Sequence, residues 1–174
     1  MYISKIKLQN FRRFKKLEIR FNRGRNILVG DNESGKSSVL QAIDLCARGS
    51  RHRVEDIGVE TLLNVDAVRM FMEGDRSINN LPKLYIELYL DDIVDEGLEG
   101  NENSDNTYTN GVRLLIEPDL ALSHQTSQVL QVNNASFPFA LKPIAQPYGI
   151  NLSYLPRSSV CCSNLSRKSA QALE

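Results

Sequence analysis

The stretch GDNESGKS, Gly30 to Ser37, sets two glycines five positions apart and follows the second at once with a lysine and a serine. This order suits the gripping of a polyphosphate. Gly30 lets the chain turn out of a strand without a Cβ clash. Gly35 lets backbone N–H groups turn inward and close on the phosphates as an anion nest. Lys36 supplies a cation for the β- and γ-phosphates, and the Ser37 hydroxyl is the candidate ligand for Mg²⁺. Ser38 adds a hydroxyl near the α-phosphate. The ligand this pattern predicts is ATP with Mg²⁺.

Such a grip needs a strand to enter the loop and a helix to leave it. The segment NILVG, Asn26 to Gly30, is short and continuously apolar and predicts a strand buried on both faces. Ser37–Arg48 predicts a helix: Val39, Leu40, Ile43 and Ala47 recur at helical spacing and Gly49 stands where a C-cap glycine belongs. The helix N-terminus would then present its N–H groups and positive dipole end to the same anion.

The surrounding chain predicts the rest of an α/β lobe. YISKIKLQNF is a strand with one slip in its alternation, and KKLEIRF alternates cleanly, with Leu17, Ile19 and Phe21 on one face. These two strands and NILVG are expected to form a meander. Asp66–Glu73, closed by Gly74, predicts a second helix. KLYIELYLDD and GVRLLIEP predict paired strands joined across the polar insert Asp95–Asn110, and residues 119–132 a further helix. No internal repeat is present.

Together these pieces carry a resemblance. ISKIKLQNFRRFKKLEIRFNRGRNILVGDNESGKSSVLQAIDL resembles the N-terminus of the RecF/SMC-type ABC ATPases, with an Asn-Phe-basic-x-Phe element at Asn10–Phe14 and Asn32 at the distinctive position of the loop. Continuing through NLPKLYIELYL and NNASFPFAL, the chain looks most like the ATPase part of OLD-family ATP-dependent endonucleases, in which an ABC-type ATPase precedes a Toprim nuclease domain. The resemblance covers about the first 140 residues. It implies a P-loop NTPase lobe of ABC type with a mixed sheet and an antiparallel subsheet, incomplete in itself. It also implies that Arg12 approaches a nucleotide phosphate; the alternative is that Arg12, Arg13, Lys15 and Lys16 merely solubilise a turn.

Phosphoryl transfer to water also needs an acidic residue for Mg²⁺ and a group that positions the water. Asp91 and Asp92 follow an apolar run, but Tyr85, Glu87 and Tyr89 alternate with the leucines, which predicts an amphipathic hairpin strand and not a buried Walker B strand. No ABC signature sequence is found, no glutamine falls between Gln41 and Gln125, and no acidic residue lies between Asp119 and Glu174 to build a Toprim cluster. No catalytic residue is therefore assigned. Hydrolysis is expected to need a second ATPase copy or a separate catalytic half.

The charge balance is uneven. Residues 1–53 hold 13 Lys/Arg against 4 Asp/Glu, and residues 54–174 hold 8 against 17. A basic N-terminal third suits nucleotide phosphates or a nucleic-acid backbone, or is simply a solvated face. ARGSRHR, Ala47–Arg53, reads as a basic turn after the helix that either touches DNA phosphates or complements the helix dipole. Three cysteines do not make a disulfide framework, and Cys161-Cys162 has no nearby histidine to complete a metal site. His52 and His124 read as surface residues. With neither a bilayer-length apolar run nor a signal-peptide pattern at the N-terminus, the reading is a cytoplasmic protein with no membrane partner.

Two units are expected, residues 1–140 as the ATP-binding lobe and residues 141–174 as an irregular tail. From Leu120 on the chain holds four of the six prolines and two of the three cysteines, and this composition is read as truncation or a shifted reading frame. The functional expectation is the ATP-binding lobe of an OLD-type DNA endonuclease, binding ATP weakly and turning over negligibly alone, with DNA as the partner of the full assembly. Two alternatives stand beside it. A RecF/SMC-type repair ATPase should carry long heptad runs after the lobe; a small-molecule P-loop kinase should begin directly with the loop strand.

Overall fold

The computed structural model describes residues 1–92, 98–119, 123–131, 137 and 148–154. Its elements in chain order are β1 (Tyr2–Phe11), β2 (Phe14–Arg20), α1 (Lys36–Arg48), α2 (Arg51–Ile57), α3 (Val59–Leu62), α4 (Val65–Glu73), a 3₁₀ turn at Ile78–Asn80, β3 (Leu84–Asp91), β4 (Glu99–Gly100), β5 (Thr109–Pro118), α5 (Ser123–Leu130) and β6 (Tyr148–Tyr154). The strands form one sheet in the order β2-β1-β3-β5, with β4 and β6 both paired to the far side of β5. Every pairing among the described residues is antiparallel.

Period-two alternation divides this sheet into two faces of different chemistry. On one, Leu17, Leu8, Ile86 and Leu114 stand side by side across β2, β1, β3 and β5, and Ile19, Ile6, Leu88 and Val112 form the next row. That face packs against Ala42, Leu45 and Cys46 of α1 and against Val54, Val59, Leu62 and Leu63. The slip in β1 alternation is a register irregularity against β3 between Ile3 and Lys5. Cys46 is fully buried, its Sγ 3.5 Å from the Val112 carbonyl oxygen, and burial pushes its thiol pKa up to about 12.

The opposite face carries a row of alternating charge, Glu18, Lys7, Glu87 and Arg113, again one residue per strand. The insert between β3 and β5 folds over it. Asn103 organises the turn: its side chain accepts from the amides of Asp105 and Thr107 and donates to the Thr107 carbonyl at 2.6 Å. Ser104 then reaches Glu87 with its amide at 3.0 Å and its hydroxyl at 2.6 Å, and the Tyr89 hydroxyl donates to the same carboxylate. Asp105 takes hydrogen bonds from Lys5, Lys7 and Tyr89. Those from Lys5 and Lys7, outweighing burial, hold its carboxyl well below the usual carboxylate range. Glu87 itself is wholly buried. The polar side of β3, read from sequence as an exposed hairpin face, is an internal ionic layer.

Several expectations are met in place. α1 ends on Gly49 in the left-handed region (φ 58°), and α4 ends on Gly74, whose amide donates to the Met70 carbonyl. β3 and β5 pair across the insert as the alternation required. α5 occupies residues 123–130 of the stretch 119–132 expected to be helical. The α/β class and the antiparallel subsheet stand.

Three elements differ. Asn26–Gly30 is not a sheet strand: Ile27 is 75% and Val29 89% exposed, and only Leu28 turns partly inward. β2 stands at the edge of the sheet, and Asn26–Gly30 does not pair along its open side, so the expected meander stops at two strands. The basic turn expected at Ala47–Arg53 becomes α2, because Ser50 caps the Arg53 amide and restarts a helix after Gly49. Residues 148–154, within the segment read as irregular, form β6 against β5. Cys161, Cys162 and the rest of 155–174 lie outside the described residues.

Candidate nucleotide-binding site

The loop is set between a turn and a helix. Asn26 ties the preceding turn, accepting from the Asn22 amide and donating to the Asn22 and Gly24 carbonyls. From Gly30 the chain bends so tightly that a Cβ there would lie 2.8 Å from Ser34 Oγ. Glu33 and Gly35 both adopt positive φ, 71° and 96°, and α1 begins at Lys36 with no side chain capping its first turn. The uncapped N–H groups and the dipole of a 13-residue helix thus open onto the loop.

Lys36 folds back into this concavity. Its ammonium donates to the carbonyl oxygens of Gly30 and Asp31, both at 2.6 Å, and to Ser34 Oγ at 3.2 Å. Three neutral oxygens thus hold a full positive charge, with no carboxylate in the set. A phosphate entering the loop would replace these neutral acceptors with an anionic one and pair the ammonium with an opposite charge. Ser37 is exposed at the helix start and Ser38 is partly buried beside it; Asn32 lies exposed at the outer turn of the loop.

The Asn10–Phe14 element lies against the loop. A Cβ on Gly35 would fall 2.4 Å from the Phe14 ring and 2.9 Å from Arg13 Cδ, so the hairpin turn packs directly on the second glycine. Arg12, at the tip of that turn, has φ 49°, and its Nε is buried without a hydrogen-bond partner. An orphaned guanidinium nitrogen on the hairpin turn whose Arg13 and Phe14 pack on Gly35, together with that glycine cradle, fits an anionic ligand. Among the described residues no group of three His, Cys, Asp or Glu could hold a metal ion.

Among the described residues no buried acidic side chain stands beside the loop. Asp91 accepts from the Tyr2 hydroxyl and Asp92 pairs with Arg23 at 3.0 Å, both at the end of an antiparallel strand. The basic residues after α1 are matched by carboxylates. Asp44 bridges Arg48 and Arg53, Arg51 pairs with Glu55, and His52, which is 84% exposed, pairs with Asp56. That pattern favours a solvated, ion-paired helix end over a phosphate contact. His124 is exposed as expected.

Residues 1–141 match the family described as AAA ATPase domain. The chain belongs to the AAA ATPase domain family. Within it, the chain is similar to DNA replication and repair proteins RecF. It is 35% identical over 105 residues to that of Clostridium kluyveri (60% of this chain, 27% of the relative). It is 41% identical over 66 residues to that of Acetivibrio thermocellus (38% and 17%), and 45% identical over 53 residues to that of Clostridium acetobutylicum (30% and 15%). The chain therefore spans only a minor part of the length of these relatives. A solved structure described under ATP-driven dimerization and DNA-stimulated activation of SMC ATPases overlays with a TM-score of 0.40 at 22% identity, covering 68% of this chain and 63% of that one. Among the described residues no helix of this AAA ATPase domain is long and apolar enough to cross a membrane.

Sequence reasoning missed the segment Leu62–Asn64, which clamps the hairpin turn. The Arg12 amide donates to the Leu62 carbonyl at 2.6 Å, and the Asn64 side chain donates to the Arg12 carbonyl at 2.6 Å. A signal was present: an asparagine immediately before VDAVRMFME is an N-cap pattern. It marked the start of α4 but said nothing of the hairpin across from it.

Proposed function

We propose that this chain is the ATP·Mg²⁺-binding lobe of an ATPase that acts on DNA in the cytoplasm. The observation that carries the reading is Lys36: its ammonium occupies a loop of carbonyl and hydroxyl oxygens at the uncapped start of α1, the geometry of a phosphate grip awaiting its anion. Gly30 and Gly35 shape the cradle, Lys36 binds the β- and γ-phosphates, and Ser38 assists near the α-phosphate. Asn32 borders the nucleotide and Arg12 adds a guanidinium from the hairpin side. Ser37 contributes the hydroxyl for Mg²⁺, which when bound neutralises charge on the phosphates.

Within that reading, the finer assignment is to an OLD-type ATP-dependent DNA endonuclease, supported by the resemblance that continues through NLPKLYIELYL and NNASFPFAL. The similarity to RecF supports a second reading, a RecF/SMC-type DNA-repair ATPase. In both, hydrolysis requires residues supplied by a second copy or by a separate catalytic half. The exposed Ile27 and Val29 beside the loop support this, since an apolar segment leading into a phosphate loop leaves unburied surface that a further polypeptide segment would cover.

Steady-state phosphate release by the purified chain, with and without duplex DNA, tests the assignment of a binding lobe. The expected rate does not exceed that of Lys36→Ala. Turnover well above that control would overturn the proposal that the hydrolytic residues lie elsewhere.

A further inference from the structure

Both residues that turn the β1–β2 hairpin away from ordinary strand geometry, Asn10 (φ 52°) and Arg12 (φ 49°), are side-chain-bearing residues in the left-handed region. A non-glycine residue is found there only when its surroundings over-determine it. The surroundings here converge on one side chain. Asn64 is 2% exposed; its amide donates to the Asn10 carbonyl at 2.9 Å, and its Nδ2 donates to the Arg12 carbonyl at 2.6 Å. Its Oδ1 accepts from the Ala67 amide at 3.0 Å, capping α4. The neighbouring Leu62 carbonyl takes the Arg12 amide, and Leu63 bridges Phe11. Asn10 is also fixed outward, its Nδ2 donating to the Lys83 carbonyl.

We infer that Asn64 is a positioning residue for the nucleotide site, holding Arg12 in its left-handed conformation so that the guanidinium is presented beside the phosphate loop. The inference rests on the proposal that Arg12 meets a phosphate. The amide group of Asn64 is used at both ends: the oxygen starts α4, and the nitrogen locks the Arg12 peptide. Any shift of the α4 N-terminus is therefore felt at Arg12. Because the same turn packs on Gly35 through Phe14, displacement of Arg12 also reaches the loop glycine.

The two uses separate chemically. Asn64→Asp keeps an oxygen acceptor for the Ala67 amide and remains a good N-cap, but it has no N–H to give the Arg12 carbonyl. Asn64→Ala loses both. The experiment is a titration of the full chain with MgATP in the wild type, Asn64→Asp, Asn64→Ala, Arg12→Ala and the double variant Arg12→Ala/Asn64→Asp. Melting temperature is recorded for each, together with the ¹³Cα and ¹³Cβ shifts of residue 12. Asn64→Asp is expected to stay folded, to move the Arg12 shifts and to bind about five- to tenfold more weakly. The double variant should bind no worse than Arg12→Ala alone. Wild-type affinity in Asn64→Asp with Arg12→Ala impaired would overturn the inference while leaving the nucleotide site standing. Additive losses in the double variant would also overturn it, as the mark of a merely structural role. Absence of MgATP binding in the wild type would instead remove the nucleotide reading, and this inference with it.

Discussion

Phe14 fills the space that a side chain at residue 35 would need: its ring lies 2.4 Å from the position of a Gly35 Cβ. With φ 96° at Gly35, the hairpin and the phosphate loop are fitted to one another at a point where only glycine serves. Gly35→Ala should therefore lower stability by more than about 1 kcal/mol from backbone conformation alone and abolish nucleotide binding. Gly35→Ala/Phe14→Ala would relieve the contact but not the dihedral, and should recover stability only in part. Urea unfolding of the three proteins checks this.

The ionic layer under the insert gives a second test. Glu87→Ala leaves Arg113 without its buried partner and Ser104 and Tyr89 without their acceptor, and should cost about 3–5 kcal/mol, far more than an exposed ion pair. Glu87→Gln keeps an acceptor for Ser104 and should fall between these. Thermal or urea melts order the three.

Asp105 confers a pH dependence on the same layer. Lys5 and Lys7 hydrogen-bond to its charged form and hold it low. A depressed carboxyl stabilises the fold above its unfolded value of roughly 3.9, and that contribution is lost as pH falls below this toward the folded value. Asp105→Asn should lower stability at neutral pH by about 1–3 kcal/mol and flatten the acid limb of a stability–pH curve. An unchanged acid limb would contradict the geometry at Lys5 and Lys7.

Exposure of the loop strand separates two kinds of apolar residue. Ile27→Ser with Val29→Ser should change monomer stability by no more than about 0.5 kcal/mol and reduce self-association on a sizing column. Ile86→Ala, in the centre of β3, should cost about 2–5 kcal/mol.

Cys46 is expected to resist alkylation at pH 8 in the native protein, since burial holds its thiol neutral, and to react on unfolding. Peptide mapping identifies the labelled residue.

What the sequence revealed follows local rules. The alternation of Leu17, Ile19 and Phe21, the helical spacing from Val39 to Ala47 and the glycines at 49 and 74 each act within a few residues, and β2, α1 and α4 stand where those signals put them. The polar tyrosines and glutamate of β3 ruled out a buried parallel strand, and the antiparallel pairing agrees. What escaped is non-local. Glu87 is buried only because Ser104, seventeen positions on, arrives over it, and no period in LYIELYL announces that. Ile27-Leu28-Val29 has the composition of a buried strand, yet among the described residues it pairs with no strand, not even along the open edge of β2, and Ile27 and Val29 stay exposed. Gly30, Gly35, Lys36 and Ser37 were readable as a motif, whereas the clamp on the Arg12 peptide depends on a contact across 52 positions.

In the proposed function, the Lys36 ammonium binds a nucleotide phosphate. Titration of the purified chain with a fluorescent ATP analogue and Mg²⁺, beside Lys36→Ala, tests this. Saturable binding that is lost in Lys36→Ala and competed by unlabelled ATP is the expected result. Equal binding by the two proteins, or none by either, would contradict it.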